Sequence, residues 1–152
     1  MAKRLQSPRR SSRTTSRRAA PMSEDLAIIA VLIAAINANQ NITAAEGGRV
    51  MHLLWSMRRF RDRDGEELDR LIDDVRVRIN EQGDEAVVAE AVRAIPARLR
   101  PAVFAAAVDL VLVDSTLERA EKQYLRRLAD QLKIPADRAR TIVQVMEKKN
   151  SL

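Results

Sequence analysis

The chain of 152 residues has no cysteine, one histidine and only four glycines, and each scarcity removes a class of function. Without cysteine there is no disulfide framework, no thiolate-bound zinc or iron-sulfur cluster and no thiol nucleophile. The glycines, at positions 47, 48, 65 and 83, form neither a phosphate-binding loop nor a dinucleotide fingerprint, and the G-x-S-x-G and H-E-x-x-H patterns are missing. His52 has no second histidine to share a metal with. Beside Leu53, Leu54 and Trp55 it reads as a packing residue rather than a base. No residue set supports catalysis, so the expectation is a protein that is not an enzyme and has no small-molecule substrate.

Aromatic residues are also few, at 3%, while Ala, Leu, Ile, Val, Arg and Glu dominate. This composition favours helices over sheets. The longest apolar run, Leu26 to Ile36, is too short for the roughly 20 residues that cross a bilayer. Glu24 and Asp25 precede it where a signal peptide would carry positive charge. It reads as a buried helix of a cytoplasmic protein.

The net charge of +6 is unevenly placed. Residues 1 to 21 hold seven cations (Lys3, Arg4, Arg9, Arg10, Arg13, Arg17 and Arg18) and no acid, leaving 20 basic against 21 acidic residues in the remainder. With little to bury and like charges that repel, residues 1–22 are expected to be a disordered Arg/Ser-rich tail, and residues 23–150 a single helical domain. The seven cations are candidates for an anionic surface, either membrane or nucleic acid. A plainer reading makes the tail an extension from an upstream start, since Met22 opens MSED directly before the first helix.

Periodicity and capping signals predict about seven helices. The first runs from about Glu24 to Ala38 with Ser23 as N-cap. The second opens on a T-A-A-E capping box, Thr43 to Glu46, and carries the stripe Val50, Leu53, Leu54, Met57 and Phe60 until RDRDGEE breaks it at Gly65. The third carries Leu68, Leu71, Ile72, Val75 and Ile79 and stops at Gly83. The others are placed at about 84–95, 101–113, 119–133 and 136–149. The first and fifth are apolar nearly all round and so central, with Leu32 and Val111 deep in the core. Arg58, Arg59, Arg61 and Arg63 are expected to pair with the neighbouring Asp62, Asp64, Glu66 and Glu67. That acidic group fails the calcium-loop pattern, because Gly65 is fourth from Asp62 and Asp73 is twelfth.

A buried helix, polar turn and amphipathic helix occur twice at a constant offset of 75 residues. Ile28 aligns with Val103, Asn39 with Asp114, Ile42 with Leu117, Glu46 with Glu121 and Leu53 with Leu128. In each copy a short polar residue ends a helix, an aliphatic residue three later plugs the turn into the core, and a Glu seven later caps the next helix. The pattern A-D-G-x-[I/L]-x-x-x-E between such helices resembles the tellurite-resistance TerB family and its TerB-like domains. The stretches that carry the likeness are AINANQNITAAEGGRVMHLLW and AAVDLVLVDSTLERAEKQYLRRLADQLKI. Asn39 stands where the family has Asp, and Gln40 and Ser115 where it has Gly.

The resemblance implies an all-α TerB-like bundle built on this duplication. It also implies an interaction or scaffold module linked to tellurite or other stress resistance, with a protein partner. Asp109, Asp114 and Glu121, with Glu46 from the first copy, are the candidate cation- or partner-binding residues. Since Asn39 lacks the charge, no cofactor is expected beyond weak divalent cation binding. The alternative function is binding of nucleic acid or an anionic membrane through the basic tail.

Overall fold

Helix α1 (Glu24–Ala38) runs through the middle of the molecule, with every residue from Leu26 to Ala35 buried. Its ends lie where capping chemistry places them. Ser23 accepts the Leu26 N–H on its Oγ at 3.2 Å and the Ala27 N–H on its carbonyl at 2.9 Å, and Glu24 and Asp25 sit at the positive end of the helix dipole. The computed structural model describes residues 20–38, 44–112 and 117–152, and for 44–47 the backbone only. The predicted N-cap Thr43, the Glu46 side chain, Asn39 and Asp114 therefore lie outside the described residues, as do tail residues 1–19.

Six more helices follow: α2 (Ala44–Ser56), α3 (Gly65–Gln82), α4 (Asp84–Ala94), α5 (Arg100–Val111), α6 (Arg119–Gln131) and α7 (Ala136–Asn150), with a 3-10 turn at Ala97–Leu99. The described residues form an all-helical bundle with no strand. Helix α1 packs on α3, α4 and α5, and α5 packs in turn on α7 and α6. Leu32 and Val111 are both buried, as their place in the two apolar helices predicts. Among the described residues no helix is long and apolar enough to cross a membrane.

Several joints follow from single residues. Gly83 ends α3 at φ 85, a left-handed conformation that costs glycine little, and its N–H caps the Ile79 carbonyl at 2.8 Å. Asn37, near the end of α1, donates to the Asp84 carboxylate at the start of α4 (2.9 Å), joining two helix termini. Arg100 reaches back from the start of α5 to the Ile95 and Val92 carbonyls at 3.1 and 3.3 Å, closing the C-terminus of α4. Glu118 and Glu121 form a reciprocal capping box on α6, with the Glu118 N–H 2.8 Å from Glu121 Oε2.

The second helix departs from expectation. It stops at Ser56, and a series of tight turns occupies residues 57–63 before Asp64 caps α3, so Gly65 opens a helix instead of breaking one. The Ser56 hydroxyl donates to the Leu53 carbonyl (2.6 Å), and the Met57 N–H bonds the Leu54 carbonyl in the tighter three-residue spacing. The turns put Phe60 into the core with no exposed surface. They also send Arg59 and Arg63 to the first turn of α1. Arg59 bonds Asp25 and, at 2.9 Å, Glu24. Arg63 bonds Asp25 and Glu67. Of the pairings expected inside RDRDGEE, only Arg63 with Glu67 forms among the described residues.

Candidate functional site

The early end of α2 leaves Leu53, Met57 and Phe60 beside α5, whose outer side is built of small residues. Pro101, Ala105 and Ala106 are half-buried and Ala102 is exposed, so α5 does not fill the space between α2 and α7. The result is a half-open cleft of about 360 Å³, lined by Leu53, Met57, Val103, Ala106, Leu99 and Met146, with Ile28 of α1 at its base. Its volume falls at the lower end of the roughly 300–1,000 Å³ usual for binding pockets. Two methionines on opposite sides give it walls that adapt to an apolar guest.

Three ionisable residues border this apolar surface, and two are already engaged. Asp109 accepts hydrogen bonds from Lys149 Nζ and Asn150 Nδ2, both at 2.9 Å, which fasten the end of α7 to α5. Arg59 is held by Glu24 and Asp25. The hydrogen bond to Asp25 is the main cause of its guanidinium lying above its ordinary pKa, against the opposing pull of burial. Arg58 is exposed and has no ion-pair partner among the described residues.

The residues singled out from the repeat have separate structural tasks. Asp109 ties α5 to α7, whereas Glu121 accepts the free N–H at the start of α6, the capping role its spacing predicts. Asp114 and the Glu46 side chain lie outside the described residues. Among the described residues no group of three or more His, Cys, Asp or Glu is placed to hold a metal ion. His52 is exposed and is not the packing residue expected of it, because it points away from the side of α2 that carries Leu54 and Val50 into the core. Trp55, also on that outer side, is 42% exposed.

Sequence reasoning missed Tyr124. Its hydroxyl is buried on α6 with no hydrogen-bond partner among the described residues. Burial, and after it the negative charge of Asp84, push the phenol above its usual pKa, while Arg127 pulls the other way. An aromatic ring next to Leu125 and four residues before Leu128 reads only as core, and the polar neighbour comes from a different helix.

Neither a curated protein nor a solved structure shows a match to the chain. The model of the family described as tellurite resistance protein TerB matches residues 25–144, which take in nearly all of α1, the cleft apart from Met146, and most of α7. With that match over most of its length, and an all-helical fold, the chain belongs to the TerB family.

Proposed function

We propose that the protein is a non-enzymatic interaction module of the tellurite-resistance family, and that a partner protein docks an amphipathic helix in the cleft between α2, α5 and α7. The observation that carries this reading is the cleft itself. It is apolar, half open and walled by methionine, and its one carboxylate is already committed to Lys149 and Asn150. Helix-in-groove recognition uses such a surface, with polar groups at the rim to set orientation. Arg58 favours a partner helix with an acidic residue beside its apolar stripe. Stress resistance then follows from bringing the partner into a complex. The TerB match supports this part of the reading by family alone.

Replacing Ala106 with Trp fills the cleft from its α5 side. Captured from cells under tellurite stress, a true partner is expected on the wild-type chain and on a chain whose seven tail cations are changed to Ser, and absent from Ala106→Trp. The same variant should fail to restore growth on tellurite to a strain lacking the protein. A partner that stays on Ala106→Trp but leaves the tail variant would move the function to the tail.

A further inference from the structure

The near-neutral sum of the chain behind the tail conceals a division. From Met22 to Glu118 there are eleven basic and seventeen acidic residues. From Arg119 to the end there are nine basic and four acidic. The excess positive charge thus lies on α6 and α7, at the opposite end of the sequence from the tail. Lys122, Arg126, Arg127, Lys133, Arg138 and Arg140 form no ion pair among the described residues, and all six are exposed.

These cations stand on two helices joined by four residues, Leu132 to Pro135. Leu132 and Ile134 are buried and pin the turn to the core. Between them Lys133 takes φ 55, and the Ile134 N–H closes on the Ala129 carbonyl at 2.9 Å. Ala129 on α6 and Ala139 on α7 are small and buried, and α5 packs against both helices. Two helices across a turn of about three or four residues, backed by a third, have the connectivity of the helix-turn-helix units that place their second helix in a DNA major groove. The exposed side of α7 carries Arg140, Thr141, Gln144 and Lys148 at helical spacing, with Arg138 beside them. Val145, 58% exposed, offers the apolar contact that a thymine methyl accepts. Asp137, in the first turn, is exposed on this same face, where a carboxylate accepts from a cytosine amine, and the Thr141 hydroxyl donates to its backbone carbonyl at 3.1 Å.

We propose that α6 and α7 form a docking surface for double-stranded DNA, with the exposed face of α7 in the major groove and the cations of α6 on the flanking phosphates. A groove about 12 Å wide accepts a helix of about 10–12 Å with its side chains. Arginine with Gln and Thr supplies both phosphate and base-edge contacts. An anionic membrane would call for an apolar face on the same helix. Apart from Val145, the apolar residues of α7, Ala139, Ile142, Val143 and Met146, are instead packed against the core. This surface is separate from the cleft and does not depend on the partner proposed for it.

The test uses the full chain and a labelled DNA duplex of two helical turns, followed by fluorescence anisotropy at several salt concentrations. Substituting Arg138, Arg140 and Lys148 together with Ser is expected to weaken binding at least tenfold. It should also flatten the salt dependence by about 0.9 logarithmic unit for each phosphate that is no longer neutralised, with helicity unchanged by circular dichroism. The chain with its seven tail cations changed to Ser should keep the binding that these three residues supply. Duplexes enriched by the wild-type chain from a random pool should bind Thr141→Ala/Gln144→Ala, which leaves the charge untouched, about tenfold more weakly. The proposal is overturned if the triple variant binds DNA like the wild type, or if no duplex is enriched. It is also overturned if the weakening appears only on vesicles of mixed neutral and anionic phospholipid.

Discussion

Helices α1 and α5 are both apolar almost all round, yet α1 is sealed along ten consecutive residues, from Leu26 to Ala35, while α5 leaves one side open. The difference is cover rather than composition, since each helix has four alanines in ten residues, 26–35 and 102–111. Those of α1, at 27, 30, 34 and 35, are all buried where α3, α4 and α5 pack on it. On the outer side of α5 the chain has Ala102, Ala105 and Ala106, too short to reach α2 and α7. A hydrophobic run therefore says that a helix is central without saying that it is covered. A fully covered helix contributes stability, and a partly covered one leaves a surface for binding.

Removing volume from the sealed helix should have the largest effect. Leu32→Ala takes out a fully buried side chain and is expected to cost roughly 2–5 kcal/mol, a large part of a typical total of about 5–15 kcal/mol. Chemical denaturation measures it, and an unchanged midpoint would mean that α1 is not the sealed helix described. A second disturbance loosens the entry to α1. Asp25→Asn weakens two arginine contacts at a carboxylate only 14% exposed, and should cost about 1 kcal/mol. Because the contacts lie near the surface, the gap from wild type should narrow at high salt.

Tyr124 gives a smaller and pH-dependent effect. Its folded pKa is raised above the ordinary 10.0, so below pH 10 both states keep the proton and the group adds no pH dependence. Above pH 10 the unfolded chain ionises while the buried phenol does not, and stability falls as the pH rises. Tyr124→Phe removes the unpaired hydroxyl and should leave stability at pH 7 within about 1 kcal/mol of wild type. The variant should then outlast the wild type in thermal melts above pH 10, and parallel losses in the two chains would contradict the burial of the hydroxyl. Least affected in stability should be Ala106→Trp, within about 1 kcal/mol, because the new ring enters existing space on the open side of α5.

Much of the fold was legible because it rests on local rules. Ser23 opens α1, Gly83 stops α3 and Glu121 caps α6 as their positions predict. The end of α2 was not legible. Leu54, Met57 and Phe60 suit a continuing helix and the observed turns equally well, and the arginines that accompany those turns find their acids more than thirty residues away in α1. The cleft was hidden for a related reason, since it exists only through the relative placement of four helices. The basic hairpin was hidden by addition: the acids of α1–α5 cancel the cations of α6 and α7 in any sum over the domain.

The contact of Arg100 with the last carbonyls of α4 bears on how the molecule opens. A side chain that belongs to the first residue of α5 satisfies the Ile95 and Val92 carbonyls across a connection of only five residues, Ile95 to Leu99. Neither helix can fray at this corner without releasing the other. Their amides should therefore exchange with solvent as one cooperative unit, with similar protection on both sides of the corner.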